Sequence, residues 1–339
     1  MSDSLIRSSL RSFLIAFFAF MGFFFSLLVL GLVFSTYSAN DDEVPNDFSP
    51  EIQANAKGVR KKLSKTAPVI LELDIKGTIG TLELTQRVIE NLLIESRENS
   101  LKNERVKGIL VNINSPGGTV SDADGIYRAL LNYKSLYNVP IYAYADGLCA
   151  SGGMYVACGA DKIYASDVSL IGSIGVITPP FVNISQLMEK LGVNALTLYA
   201  GKGKDDLNPT RPWTPDEDKN LKSVIDYYYN SFVDIVVKHR QVTKEALVKD
   251  YGANIFPAEQ AVKMGLIDGA NETRESTLKK LLASISIEDD FYQVISLKST
   301  NWFNQLVNTK CPLSMKHEII LEGQLPKELL GKPLYLYRP

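Results

Sequence analysis

The sequence predicts an α/β protein with a parallel β-sheet and crossover helices, preceded by one transmembrane helix. The first observation is a regular alternation of β-rich and helical segments between about residues 67 and 272. Such an alternation is typical of parallel strands joined by helices that cross one face of a sheet. The second observation is a continuous apolar run without charge over residues 13–34, before the alternation begins.

The apolar run at 13–34 has 22 residues, enough to cross about 30 Å of hydrocarbon as a helix. A secretory signal peptide has a shorter apolar core, so we expect a retained anchor, and cleavage near residue 39 is the alternative. Two arginines precede the run and three acidic residues follow it. The positive-inside rule therefore predicts a cytoplasmic N-terminus at 1–12 and an extracytoplasmic remainder.

The predicted organisation continues with a polar linker at 35–66, a main domain at 67–272 and a C-terminal extension at 273–339 of unknown role. Thr214, followed by Pro215 and Glu217, is typical of a capped helix start. Its helix has an apolar face, which we interpret as core or subunit interface. The other elements expected are strands at 69–75, 107–113, 140–145, 162–165, 175–177 and 196–199, and helices at 84–95, 122–137, 154–159, 182–191 and 257–266.

Composition limits the classes of function. A net charge of −2, with scattered basic residues, gives no reason to expect nucleic acid. Three cysteines without CxxC spacing indicate neither a zinc site nor a disulfide framework, and we expect no metal or cofactor. Of two histidines, His239 is interpreted as a solvated charge at a helix end and His317 lies in the extension. A Ser-His-Asp triad would have to use one of these two.

Ser151 lies at a predicted strand-to-helix junction, within the run ASGGMY at 150–155. Free N–H groups at a helix start and side-chain-free glycines suit a nucleophile; the alternative is a turn in which Ser151 is only an N-cap. A second glycine-rich turn, SPGG at 115–118, follows another strand, and parallel strands bring both turns to one sheet edge. N–H groups from the two turns would converge on an oxyanion in acyl transfer. A phosphate site is disfavoured because the phosphate-binding glycine motifs are absent.

A serine nucleophile needs a base, and the scarcity of histidine leaves a desolvated lysine as the remaining choice. Lys202 and Lys204 lie in a predicted turn at 201–205. Spacing alone does not select either of them, and both also fit solvated loop residues.

Five runs occur in one order: NSPGG at 114–118, ASGGMY at 150–155, IGSIGV at 171–176, GKGKD at 201–205 and GLID at 265–268. Together they resemble the signal peptide peptidase A (protease IV) family of bacterial membrane-anchored Ser-Lys peptidases. The resemblance covers about residues 67–272 and fits the short form with a single catalytic domain.

The resemblance implies a crotonase/Clp-protease-like fold and a homo-oligomer whose active sites can be shared between subunits. It implies hydrolysis of remnant signal peptides and other apolar peptides at the outer face of the cytoplasmic membrane. Residue by residue, it implies that Ser151 is the nucleophile, that Lys204 is the general base with Lys202 a bystander, and that Ser173 orients the lysine. The oxyanion donors it implies are the backbone N–H groups of Gly118, Gly152 and, as the adjacent alternative to Gly118, Gly117.

The sequence departs from the family pattern at Gly203, where the family often has a bulkier residue, and in the extension at 273–339, for which a regulatory or self-processed role is open. Two other functions compete. An acyl-CoA enzyme on a crotonase-like scaffold would use paired N–H donors, but the outward orientation argues against it. A catalytically silent oligomeric scaffold would not need serine, lysine and both glycine turns together.

Overall fold

The computed structural model describes residues 14, 17–27, 48–81, 84–98, 101–299 and 334–336. Two compact units are distinguished, Met1–Pro45 and Asn46–Pro339. In the first unit, residues 14 and 17–27 are helical and exposed, and the rest of the predicted anchor at 13–34 lies outside the described residues. No helix within the described ranges is long and apolar enough to cross a membrane.

The second unit is built on one sheet, in which the described strands number eight. Its central strands are parallel and buried on both faces, as expected for a sheet covered by crossover helices. The edge pairs are antiparallel. The mainly parallel α/β fold is therefore confirmed. In sheet order the strands are β1 (Phe48–Gln53), β9 (Gln293–Ser299), β2 (Val69–Lys76), β3 (Val106–Ser115), β5 (Ile141–Ala150), β7 (Leu170–Gly172) and β8 (Ile255–Pro257), with β6 (Lys162–Ala165) paired to β5.

A separate two-stranded ribbon joins β4 (Gly117–Thr119) to β10 (Leu334–Leu336) in antiparallel pairing. The ribbon lies at the end of β3, where the chain leaves the sheet. It brings a segment from the predicted C-terminal extension onto the first glycine-rich turn.

Threonine residues are the N-caps of several helices, and their hydroxyls accept hydrogen bonds from backbone N–H groups of the first turn. The Thr119 hydroxyl, for example, accepts a hydrogen bond from the Asp122 N–H at 3.2 Å, which satisfies a free donor of the first turn. The helices are α1 (Gln86–Glu95), α2 (Val120–Tyr137), α3 (Gly152–Ala157), α4 (Ser185–Lys190), α5 (Lys219–His239), α6 (Ala258–Lys263) and α7 (Arg274–Ser284), with a π-helix at Ala246–Tyr251.

Apolar side chains pack on both faces of the sheet. On one face, a large cluster joins alternate residues of β2 and β3 to α1, α2, α3 and α5. On the other face, Ile70 and Leu110 pack against α7. Helix α5 joins the first cluster through Phe232, whose ring centroid lies 5.0 Å from that of Tyr155 on α3. The helix that follows Ser151 is thereby packed between α5 and the sheet.

The sheet takes in strands from segments that the sequence assigned to the linker at 35–66 and to the extension at 273–339. Strand β1 pairs with β9, and β9 in turn pairs in parallel with β2. Helix α7 covers the adjoining face. The strand that follows α7, β9, lies inside the sheet between β1 and β2, antiparallel to β1 and parallel to β2.

Two predicted strands are wrong. At 175–177 only Ile177 forms a β-bridge, because Gly172 has φ +124° and ends the regular strand, β7, earlier. At 196–199 the described chain has no strand, and Leu196 and Leu198 are 85% and 86% exposed. Their alternating pattern has a strand-like propensity, but no neighbouring strand pairs with it.

The predicted helix start at Thr214 is also displaced. The Thr214 N–H donates to the Glu217 carboxylate, as in a capping box, but the Thr214 hydroxyl donates to the same carboxylate instead of accepting from a helix N–H. Helix α5 nevertheless begins only at Lys219, because Asp216 has φ +74° and interrupts the helical turn.

We predict that Phe232→Ala lowers the free energy of unfolding by about 3–5 kcal/mol, since it leaves a cavity against α3. Tyr227→Ala on the same helix is the control, because Tyr227 is 70% exposed while Phe232 is fully buried. It should change the free energy by less than about 0.5 kcal/mol. Denaturant titration of the full chain in detergent measures both, and equal effects would contradict the packing of α5 on α3.

Candidate active site

Ser151 is buried, with 1% of its surface exposed, between the end of β5 and the first residue of α3. Its backbone has φ 52° and ψ −118°, which is unusual for any residue except glycine. The Ser151 N–H donates to the Gly172 carbonyl at 2.8 Å, and its carbonyl accepts from the Tyr155 N–H at 2.9 Å. Ser151 occupies the N-cap position of α3, but its hydroxyl makes no capping bond to the helix, so the alternative of a serine that serves only as a cap is wrong.

The first glycine-rich turn is held by its neighbours on one side. The Ser115 hydroxyl donates to the Gly77 carbonyl at 2.6 Å and accepts from the Gly117 N–H at 3.1 Å. The Gly117 carbonyl and the Thr119 N–H both bond to Ile79, at 2.8 and 3.0 Å. Because successive residues of a strand point their polar groups to opposite sides, the N–H of the residue between them faces away from Ile79.

That intervening residue, Gly118, has no room for a side chain. A Cβ there would lie 1.8 Å from the Ile79 carbonyl oxygen. The N–H of the alternative donor, Gly117, is already bonded to Ser115. Of the two glycines, Gly118 is the one whose N–H is directed away from Ile79, towards β10.

The two glycine-rich turns meet at the carboxyl edge of the sheet. Cys149 of β5 lies opposite Ser115 of β3 in the parallel register. A Cβ on Gly153 would lie 2.9 Å from the Ser115 carbonyl oxygen, so α3 approaches the end of β3 closely. Gly152 is the first residue of α3, and its N–H therefore has no carbonyl partner within the helix. The edge thus brings together Ser151 with the Gly118 and Gly152 N–H groups.

Strand β10 fills the space beside this edge. Tyr335 lies opposite Gly118 in the antiparallel register, and Leu334 lies opposite Thr119. On its other side, Leu334 exchanges two backbone hydrogen bonds of 3.0 Å with Ile177. Leu334 is fully buried, and β10 also contacts α3. An extended stretch of this chain therefore lies between β4 and Ile177, with main-chain bonds on both sides.

Ser173 follows β7 and lies next to Ser151 in the sheet, since Ala150 pairs with Gly172. Its backbone is also left-handed, with φ 52°, and its N–H donates to the Asn254 carbonyl at 2.7 Å. Two serines with left-handed backbones therefore end two neighbouring strands. Ser173 is buried beside the nucleophile candidate, where a hydroxyl can contact a group that approaches Ser151.

Lys204 and Lys202 are exposed, on a turn at residues 201–206, whereas Ser151 and Ser173 are buried. Within the described chain, no hydrogen bond joins either lysine side chain to Ser151 or Ser173. The structure therefore brings the serines and the N–H donors together, and among the described residues it leaves Lys204 exposed without a hydrogen bond to either serine.

The segment that carries Lys204 exposes an unusual amount of apolar surface. We name residues 177–213 the lysine arm. They contain α4 and otherwise irregular chain. Large apolar side chains that are more than one third exposed on the lysine arm are Ile177, Phe181, Val182, Ile184, Leu187, Leu191, Val193, Leu196, Leu198, Tyr199 and Trp213. An exposed apolar surface of this kind is typical of a protein–protein contact.

His239 does not contact the serine. Its Nε2 lies 2.7 Å from the Tyr127 hydroxyl, and burial lowers the pKa of the imidazole. The prediction that His239 is a solvated charge is therefore wrong, because the imidazole is partly buried. His317 lies outside the described residues.

Two of the cysteines are core residues, as expected. Cys149 and Cys158 are fully buried and free, and burial raises the pKa of the Cys158 thiol to about 12. Such thiols are inert. Cys311 lies outside the described residues.

Sequence reasoning missed two features of the site. One is β10, whose alternating Leu334, Tyr335 and Leu336 have a strand-like propensity but no partner visible in sequence. The other is an ion-pair network behind Lys204, centred on Arg211. The available signal was Glu217, which was interpreted only as a helix cap.

Two family models match the chain. The model for peptidase family S49 matches residues 134–286, and the model for Clp protease matches residues 54–171. The first range contains Ser151, Ser173 and Lys204, and the second contains both glycine-rich turns. The Clp protease match agrees with the mainly parallel sheet described above.

Individual relatives agree with these models. A Synechocystis sp. protein named as a protease, slr0021, is 34% identical over 81% of this chain and 98% of its own length. A Methanocaldococcus jannaschii protein named as a protease, MJ0651, is 38% identical over 55% of this chain. An Enterococcus faecium protein named signal peptide peptidase SppA is 36% identical over 62%. The matched part spans 59% and 63% of the last two relatives, respectively.

Among solved structures, a ClpP1 mutant from Listeria monocytogenes is 17% identical, with a TM-score of 0.40, and the match covers 61% of this chain and 94% of that one. The sequence relatives are the more informative. The slr0021 match extends over almost the whole of that protein, and the S49 model spans the serine and lysine motifs. The chain belongs to peptidase family S49.

Proposed function

We propose that the chain is a membrane-anchored serine endopeptidase that cleaves peptide bonds with a Ser151–Lys204 dyad. The observation that carries the proposal is the state of Ser151, a buried serine with a left-handed backbone whose hydroxyl is free of any capping role. Strain of this kind persists only where the surrounding structure imposes it, and it is frequent in active sites. Membership of peptidase family S49 supports the same chemistry.

In the proposed reaction, Ser151 Oγ attacks the carbonyl carbon while the neutral amine of Lys204 takes the hydroxyl proton. The N–H groups of Gly118 and Gly152 donate to the oxygen that becomes negative. The C–N bond then breaks, and Lys204 returns the proton to the departing amine. Water, activated by the same amine, hydrolyses the acyl-enzyme. The Ser173 hydroxyl orients the amine without stabilising its charged form as a carboxylate would.

We infer that the dyad forms between two copies of the chain. Lys204 is exposed on the lysine arm, whereas Ser151 is buried at the sheet edge. The apolar side chains of the arm would be covered in a homo-oligomer, with Lys204 delivered to the Ser151 of the next copy. A heterologous contact of this kind forms a closed ring when the rotation between successive copies closes.

We infer that a substrate peptide takes the place of β10. An extended peptide would pair with β4 on one side and with Ile177 on the other, as Leu334 does here. The register puts Tyr335 opposite Gly118, so the corresponding substrate carbonyl would lie at the proposed oxyanion donors. Adding a strand in this way provides affinity through the main chain.

Remnant signal peptides and other apolar peptides are the proposed substrates, and the outer face of the cytoplasmic membrane is the proposed location. The apolar run at 13–34 and the charges on its two sides support this placement. An anchor would hold the site near membrane-embedded peptides at high effective concentration. No nucleic acid partner is proposed.

A catalytically silent oligomeric scaffold is the second candidate. The observation that favours it is that Lys204 is exposed, while Ser151 is buried and has no hydrogen bond to it within the described residues. The activity of variants separates the two candidates, because a scaffold does not hydrolyse peptides in any oligomeric state.

We predict that Ser151→Ala and Lys204→Ala each lower the hydrolysis of an apolar fluorogenic peptide by at least about a thousandfold, since each removes a participant in proton transfer. Lys202→Ala, in the same turn, should retain wild-type activity. The full chain in detergent is the sample, with the oligomeric state matched by size-exclusion chromatography. A large loss in Lys202→Ala with a small one in Lys204→Ala would identify the other lysine as the base.

Subunit mixing tests whether the dyad is shared. Ser151→Ala and Lys204→Ala chains are inactive alone, but after dissociation and reassembly in equal amounts we expect about a quarter of wild-type activity, since half of the serines and half of the lysines are intact. Exchange is verified with two affinity tags. A mixture that exchanges and stays inactive would show that the dyad forms within one chain.

Weakening the pairing of β10 with Ile177 should make it easier for an added peptide to bind in its place. Leu334→Pro removes the N–H that bonds to Ile177, so we predict a KM for the added peptide that is lower by about threefold or more, with kcat little changed. Leu334→Val keeps the N–H and the strand propensity and should resemble the wild type. An unchanged KM in Leu334→Pro would contradict the placement of the substrate where β10 lies.

A further inference from the structure

The residue that follows Lys204 in its turn, Asp205, is held in place by several hydrogen bonds. Asp205 is buried, although its neighbours in the turn are exposed. Its carboxylate accepts from the Arg211 Nε at 2.6 Å and from the Asn208 side-chain amide at 2.7 Å. The Arg211 Nη2 also donates to the Asp205 carbonyl oxygen at 2.5 Å. One arginine thus holds both the side chain and the backbone of the residue that follows the lysine.

The same guanidinium connects the turn to the segment before α5. Arg211 Nη1 donates to Glu217 Oε1 at 2.7 Å, and Nη2 donates to Glu217 Oε2 at 3.2 Å. The Glu217 carboxylate also accepts from the Leu207 N–H at 2.8 Å and from the Thr214 N–H at 2.7 Å. Glu217 therefore fixes the chain on both sides of Arg211.

The hydrogen bonds of Arg211 and Glu217 support a part of the chain that has no regular secondary structure. Residues 191–218 contain no helix or strand, so their backbone has little support of its own. Helix α5, which follows, is anchored in the core by Phe232 and packs on α3 through Tyr155. The contacts therefore run from the Ser151 helix through α5 and Glu217 to the turn of Lys204.

The network also controls charge beside the lysine. A free carboxylate next to an amine favours the ammonium form, which cannot act as a base. The hydrogen bonds from Arg211 lower the pKa of the Asp205 carboxyl, and those from Arg211 and Thr214 lower the pKa of the Glu217 carboxyl. Both carboxylates are thus ionised at neutral pH and bonded to one cation. The other charged groups in the turn are Lys202 and Asp206.

We propose that Arg211 is a positioning residue for Lys204: it fixes the turn that carries the lysine, and it holds the Asp205 carboxylate away from the lysine amine. The proposal rests on the proposed function, because it assigns to Arg211 and its two carboxylates a role in the activity of that base. Arg211 itself does not touch the substrate. Its planar fork of N–H donors is required, because one side chain donates to two carboxylates and to the carbonyls of Asp205 and Pro212.

The test is the pH profile of kcat/KM for the full chain in detergent, measured with an apolar fluorogenic peptide. In Arg211→Gln the turn is loosened and Asp205 is released. We expect kcat/KM to fall by at least about tenfold and the acid limb to move up by about half a pH unit, since the freed carboxylate favours the protonated lysine. A residue that only stabilised the fold would lower the amount of active enzyme without moving the limb.

A second pair of variants separates the two effects. Asp205→Asn in the Arg211→Gln background removes the freed charge, so the acid limb should return to its wild-type position while the rate stays low. Arg211→Lys keeps a positive charge without the fork and should keep the limb near the wild-type position, with an intermediate rate. Lys244→Gln, which breaks an exposed ion pair with Asp234 (2.8 Å), is the matched control and should leave the profile unchanged.

Circular dichroism and the elution volume establish that each variant is folded and assembled. A wild-type rate and profile in Arg211→Gln would overturn the proposal, as would a limb that stays shifted after Asp205→Asn. These outcomes are distinct from failure of the proposed function. That failure would appear as activity that survives Lys204→Ala, whatever the Arg211 variants do.

Discussion

The hydrogen bond from the Ser151 N–H to the Gly172 carbonyl, 2.8 Å long, is the interaction on which the site depends. It joins the ends of β5 and β7 where both strands give way to serines with left-handed backbones, Ser151 and Ser173. Strand β5 pairs with three neighbours, so its end has little freedom to move. The sheet therefore maintains the strain at Ser151, and the hydroxyl does not relax into a capping bond.

The sequence predicted the parts of the fold that local pattern determines. Buried parallel strands give nearly continuous apolar runs, and a glycine-rich turn marks the place where the backbone closely approaches another segment of the same chain, as Gly118 approaches Ile79. The serine motif and the turn before it were therefore located from residues alone. The strand expected at 196–199 was wrong because alternation indicates propensity, and a strand also needs a partner.

The rest of the site depends on contacts between residues distant in sequence or on charge pairs with no motif. Strand β10 meets β4 across more than two hundred residues, and three alternating side chains do not specify such a pairing. The Arg211 network joins Asp205 to Glu217 over a short stretch, yet its geometry arises from a turn with positive φ at Asp216 and Leu207. Neither feature has a period or a spacing that a single sequence displays.

The space between β4 and Ile177, which β10 occupies, holds an extended segment through hydrogen bonds to its peptide groups on both sides. Every residue except proline offers those groups, so recognition at the centre of this space depends on conformation more than on side chains. A helical segment in a lipid bilayer has the same groups already bonded within the helix, and exposing them to hydrocarbon is costly. Such a segment has to unwind before it can enter. Under the proposed function, the membrane-embedded peptides cleaved most readily would be those whose helices are short, frayed or interrupted by glycine, whereas an intact membrane-spanning helix would be protected by its own hydrogen bonds.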